Sequence, residues 1–215
     1  DLRMSRGLGD VYKRQDMVKA DCGGCNGCSR CCHGMGNSII LDPYDVYRMT
    51  TGMGKSMQEL LAASVELNVV DGVILPNLKM QGTKEACAYL DEEGRCSIHP
   101  YRPGICRLFP LGRYYENGGF SYFLQTGECA KENRSKIKVS KWIDTPDLTR
   151  NQQFTLQWHD LLHAMEERLT GEDEGKQQEE NLLLLRLFYL LPYKGTTDFY
   201  SQFMERMEYW NEQIR

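Results

Sequence analysis

The sequence predicts an α+β protein: a small, irregular, metal-stabilised cysteine-rich module with short strands, followed by a helical C-terminal region. Three observations carry this. All nine cysteines of the 215-residue chain lie before residue 130. In the same stretch, short apolar runs flank Asp91-Glu92-Glu93-Gly94 and Asn117-Gly118-Gly119, which are hairpin signals. Beyond residue 150 the apolar residues recur at helical spacing instead.

The elements follow in chain order. Residues 1–15, DLRMSRGLGDVYKRQ, show no apolar periodicity and resemble translated adapter read-through, so they are set apart as a non-native tail. Asn37–Leu41 reads as a strand. Asp42 as N-cap and Pro43 at the first helical position open a helix through Met49. Ser56 and Glu59 form a capping box that starts a second short helix, MQELLA. Val73–Leu78 is apolar and partly β-branched, a strand. Cys87–Leu90 with Cys96–Ile98, and Leu111–Tyr115 with Phe120–Leu124, form the two hairpins. His99–Pro110 carries three prolines, and its restrained backbone presents Cys106.

Phe154, Trp158, Leu161, Leu162, Met165 and Leu169 then share one helix face. Thr145-Pro146 marks an early start, and Gly171 lies just past the end. Glu180–Leu191 reads as a buried helix stopped by Pro192, and Asp198–Ile214 as a third, amphipathic helix. The expected division is a cysteine module over 16–140 and a helical subdomain over 141–215.

Composition narrows the functional classes. With 41% hydrophobic and 26% charged residues the chain is a globular one. A net charge of −4 argues against binding nucleic acid through bulk charge. The longest apolar run, Leu182 to Leu191, contains Arg186 and is too short to span a bilayer. The expectation is therefore no nucleic-acid partner and no membrane span.

The cysteines point to metal. Cys22, Cys25, Cys28, Cys31 and Cys32 crowd into CGGCNGCSRCC; Cys87, Cys96, Cys106 and Cys129 follow. Two-residue spacers let a chain wrap one ion so that thiolates converge from successive turns. An odd count, an adjacent pair and tight clustering fit a disulfide framework poorly. The adjacent Cys31 and Cys32 diverge more easily toward two sites, or toward a ligand and a neighbouring position, than onto one tetrahedral ion. Residues 95–141 hold nine Lys/Arg against three Asp/Glu, whereas residues 154–215 hold six against twelve. Positive charge thus travels with the cysteines, as an anionic metal–thiolate site requires; an anionic partner would explain it equally. Arg30, Arg102 and Arg107 sit beside the cysteine motifs as donors, an anion clamp or plain surface residues. His99 is a weaker ligand candidate, and His159 and His163 read as the flank of an amphipathic helix rather than as a metal pair.

Together, CxxCxxCC over Cys25, Cys28, Cys31 and Cys32, then Cys87, Cys96, Arg102-Pro103-Gly104-Ile105-Cys106-Arg107-Leu108-Phe109-Pro110 and Cys129, resemble the YkgJ-like cysteine-cluster family of zinc- or iron-chelating domains. The resemblance spans roughly Cys22 to Cys129. It implies that Cys25, Cys28, Cys31, Cys32, Cys87, Cys96, Cys106 and Cys129 hold zinc or an iron–sulfur cluster of the 4Fe-4S type, at one or two sites, with Cys22 additional. Flagellin lysine N-methylases share a similar pattern, so the resemblance also leaves open an iron–sulfur-dependent enzyme acting on a protein substrate. Thiolate ligation implies a reducing, cytoplasmic location.

Nucleotide binding is not expected. Thr51-Gly52-Met53-Gly54-Lys55-Ser56 ends like a phosphate loop, but Met49 stands where the first glycine is required.

Overall fold

The computed structural model describes residues 10–23, 28–131 and 133–214. In chain order it holds β1 (Val11–Tyr12), β2 (Met17–Asp21), α1 (Pro43–Met53), α2 (Met57–Ala63), β3 (Val65–Val70), β4 (Val73–Leu78), β5 (Met80–Gln81) and β6 (Ala86–Cys87). Then come α3 (Gly104–Leu108), β7 (Leu111–Glu116), β8 (Gly119–Leu124), β9 (Ser135–Lys138), α4 (Val139–Ile143), α5 (Leu148–Leu169), α6 (Glu174–Leu185) and α7 (Phe199–Gln213). Short antiparallel strands mix with helices, and the long helices gather at the C-terminal end, so the α+β class holds.

The sheets are small: β1-β8-β7, and the pairs β2-β9, β3-β4 and β5-β6. Two are closed by two-residue turns in the left-handed region, Asp71-Gly72 between β3 and β4 and Asn117-Gly118 between β7 and β8. The β2–β9 pair joins distant sequence, setting Asp21 opposite Ser135. Of the tail set apart above, Val11 and Tyr12 pair with Phe123 and Tyr122 of β8.

Helix starts follow capping chemistry. Asp42 accepts from the Asp45 amide at 2.8 Å, and Ser56 completes its box with Glu59. Helix α1 runs on past Met49 to Met53, where Gly54 at φ 65° ends it. Asp147 caps α5, so that helix begins at Leu148 rather than at Thr145.

Three expectations need correction. Asn37–Leu41 is not a strand; only Ile40 bridges to Asn77. It runs beside β4, with Leu41 donating to the Pro76 carbonyl at 2.8 Å, but Pro76 has no N–H to return. Next, β3 has no counterpart in the sequence reading. Its amphipathicity is inverted: Leu67 and Val69 face solvent, while Glu66 and Asn68 turn inward to hydrogen-bond Asn77. Finally, the helix expected over Glu180–Leu191 is α6, capped earlier by Asp173, continuing as a π-helical turn over Arg186–Leu190. Buried Arg206 of α7 stabilises that turn by donating to the carbonyls of Leu187 (2.8 Å) and Pro192 (3.0 Å).

The main core crosses residue 141. Leu41, Met49, Leu60, Val65 and Leu78 pack with Phe154, Met165, Leu184, Phe188 and Phe203. Phe154 meets Phe203 edge-on at 4.8 Å and Phe199 at 5.1 Å. Buried Asn181 of α6 accepts from the Ile74 amide at 2.6 Å and donates to the Gly72 carbonyl at 3.2 Å, tying the helices to the β3–β4 hairpin. A second core of Val18, Ala20, Leu108, Leu111, Tyr122, Val139 and Ile143 lies under the β2–β9 pair. No helix among the described residues is long and apolar enough to cross a membrane.

Candidate metal centre

Three chain segments place five thiols within electrostatic range of one another. Cys31 and Cys32 sit on a single 3-10 turn, Arg30–Cys32, closed by the Cys32 amide on the Ser29 carbonyl at 2.9 Å. His33 bridges to Ala86, and the Gly34 amide bonds the Glu85 carbonyl at 2.9 Å, which holds that turn against β6 and Cys87. Cys96 is placed by its bridge to Leu90. The intervening turn is fixed by Asp91, whose carboxylate accepts from the amides of Glu93 (3.1 Å) and Arg95 (2.7 Å). Cys106 rides on α3, whose first amide, Gly104, donates to buried Asp45 at 2.7 Å.

These thiols feel one another electrostatically: Cys32 senses Cys31, Cys87 and Cys106, and Cys106 senses Cys31, Cys87 and Cys96. All five are half-buried free thiols. Burial pushes the Cys87, Cys96 and Cys106 thiols up. The Cys31–Cys32 hydrogen bond holds Cys31 down to about 7 and drives Cys32 up.

Backbone donors are aimed at two of the sulfurs. The Tyr89 amide bonds Cys87 and the Ile98 amide bonds Cys96, each from two residues along the chain. Arg102 lies close enough to favour the anionic forms of Cys31 and Cys96. The two arginines of the proline-rich segment therefore divide. Arg102 faces the sulfurs and contacts His99 Nε2 at 2.8 Å, whereas Arg107 is buried, facing Asp45 at 4.0 Å and donating to the Arg102 carbonyl at 2.6 Å. His33, which sequence reasoning passed over, has its ring on the Ser29 carbonyl at 2.9 Å and lies within electrostatic reach of Cys31. Adjacency to CxxCxxCC was the available signal.

The remaining cysteines lie elsewhere. Cys28 and Cys129 line a small cavity together with Cys22 and Cys31. Cys25 falls outside the described residues. His159 stacks on Tyr115 at 3.8 Å and His163 pairs with Glu167 at 3.5 Å, both on α5. Among the described residues, no group of three or more His, Cys, Asp or Glu could hold a metal ion as they stand.

The donor set suits a thiophilic cation. Half-buried thiols such as Cys87, Cys96 and Cys106 resist losing their protons to water, and a bound cation removes that resistance by replacing the protons. Amide donors and a guanidinium beside the sulfurs are the surroundings an anionic tetrathiolate needs.

A family model described as "CxxCxxCC: Putative zinc- or iron-chelating domain" matches residues 24–133, just over half of the chain. No curated protein matches the chain, and no solved structure does.

Proposed function

The chain belongs to the CxxCxxCC zinc- or iron-chelating family, and we propose that it chelates metal through the sulfurs of Cys31, Cys32, Cys87, Cys96 and Cys106, with Cys25, Cys28 and Cys129 as further ligands. The observation that supports this best is the match of residues 24–133 to a chelating family, joined by five thiols from three segments that lie within electrostatic range of one another. Bound zinc would cross-link these segments, and an iron–sulfur cluster would add electron transfer. The chain's own contribution is to hold the sulfurs. Asp45 fixes α3 and thus Cys106, Asp91 fixes the turn before Cys96, and His33 fixes the 3-10 turn to β6. Free thiols at these positions suit a reducing compartment such as the cytoplasm.

Anaerobic purification of the full chain, followed by metal and sulfide analysis, tests the proposal. Zinc, or iron with sulfide, is expected at one or more equivalents per chain and is lost from Cys87→Ser combined with Cys96→Ser. Wild-type protein without metal and with all thiols oxidised to disulfides would overturn it.

A further inference from the structure

We propose that the open edge of β3 is a pairing surface for a second copy of this chain, which joins two β3–β4 hairpins into one continuous sheet through Leu67 and Val69. The inference is independent of the metal reading.

The hydrogen bonds of β4 show which edge is open. Opposite residues of an antiparallel pair turn their backbone groups the same way, both toward the partner strand or both away from it. On β4 the Ile74 amide donates to Asn181 of α6 at 2.6 Å and the Pro76 carbonyl accepts from the Leu41 amide at 2.8 Å. The Leu78 amide donates to the Ile39 carbonyl at 3.0 Å. These three residues therefore face away from β3, and their opposites on β3 are Val69, Leu67 and Val65. The N–H and C=O groups of Leu67 and Val69 thus point out of the hairpin on its far side. There β3 pairs with no second strand among the described residues.

The side chains agree with the backbone. Leu67 and Val69 are 43% and 67% exposed, and they share a sheet face with Pro76 and Ile74, which lie opposite them. A solvent-facing edge is ordinarily blunted by lysine or proline. Residues 65–70 contain neither. Their one charge, Glu66, lies on the other face, where it accepts from Asn77 at 3.2 Å.

A second copy is the occupant this edge fits. Val65 is 0% exposed and Asp71 turns the chain away at φ 51°, so Leu67 and Val69 are the outward-facing residues left to pair. A longer extended peptide would find no further backbone group at either end. A two-fold axis through Leu67 would need the buried backbone of Val65, and one through Val69 would need Asp71. An axis at Asn68 needs neither. It sets Leu67 opposite Val69 of the second copy, and each such pair exchanges both backbone bonds. Leu67, Val69, Ile74 and Pro76 of both copies then form one apolar strip. Glu66 falls opposite Val70 of the second copy, so no like charges meet. An edge this short makes a weak, concentration-dependent dimer.

Sedimentation equilibrium of the full chain over a concentration series, with reductant present to exclude intermolecular disulfides, is the test. Wild type is expected to move from one chain toward two as concentration rises. Val69→Pro removes an N–H that faces away from β4, so circular dichroism should be unchanged and the dimer lost. Leu67→Lys and Val69→Glu should each be monomeric. Their equimolar mixture should recover a dimer, because the Asn68 axis sets the two introduced charges opposite each other. Should Val69→Pro fail to fold, these two exposed-side-chain variants decide. Wild type that stays a single chain at every concentration, or a dimer that survives both charge variants, overturns the proposal. Monomeric variants whose mixture recovers nothing overturn the Asn68-centred pairing.

Discussion

The two ends of this chain reach order by different physics. The helices α5, α6 and α7 are held by interlocking aromatic rings, with Phe154, Phe188 and Phe203 almost wholly buried. Around the cysteines, the strands β5 and β6 are two residues long, and the connecting segments are fixed by single bridges and Asx turns. Packing suffices for the first region. In the second region Cys87, Cys96 and Cys106 pack only partly buried against the edge of the main core, and the proposed metal would add the cohesion that its short strands lack. Asp45 joins the two: it lies on α1 within reach of the main core, and it anchors α3 below Cys106.

Removing the metal should break this comparison most visibly. Structural zinc contributes on the order of 10–16 kcal/mol in zinc-finger peptides, so chelation should strip hydrogen-exchange protection from residues 80–110. Protection in α5 and α7 should remain. Uniform loss across both regions would mean that the helices also depend on metal.

Phe154→Ala attacks the other region. Truncating a buried phenylalanine costs about 3–5 kcal/mol, and the midpoint of urea unfolding should fall accordingly. Metal bound per folded chain should not change. Asp45→Ala should touch both regions. Loss of a buried acceptor costs about 1–3 kcal/mol, and the loosened α3 should weaken metal affinity in a competition titration with a chromophoric chelator. An effect on stability with affinity intact would remove Asp45 from the support of Cys106.

A pH dependence is expected as well. Burial, and then the Asp45 carboxylate, raise the Asp42 carboxyl from its ordinary 3.8 to about 7. The folded chain therefore binds a proton that the unfolded chain has lost between about 4 and about 7, so Asp42 makes stability fall as pH rises through that window. Asp42→Asn keeps an N-cap residue and removes the titration. Urea midpoints at pH 5 and pH 7.5 should differ less in the variant than in the wild type.

What the sequence made legible was local. Asp42-Pro43 and Ser56 with Glu59 mark helix starts because capping involves neighbouring residues, and Asn117-Gly118 marks its hairpin for the same reason. The inverted face of β3 was hidden because its inward polar residues are satisfied by Asn77, a partner from another strand. The π-helical turn was hidden because its freed carbonyl is taken up by Arg206 from a later helix. Of the eight expected ligands, Cys31, Cys32, Cys87, Cys96 and Cys106 lie within electrostatic range of one another; the CxxCxxCC spacing itself was plain in the sequence. The placement of Cys28 and Cys129 beside Cys22 was not, because it depends on β2 pairing with β9 across most of the chain. Residues such as Lys19 and Lys136 leave those strands without a strong apolar signal.

The central claim is that sulfur, not nitrogen or oxygen, holds the metal. X-ray absorption at the metal edge of anaerobically purified full-length protein tests it directly. The account predicts a first shell fitted by sulfur alone, at about 2.3 Å if the metal is zinc. A first shell dominated by nitrogen or oxygen at about 2.0–2.1 Å would contradict it.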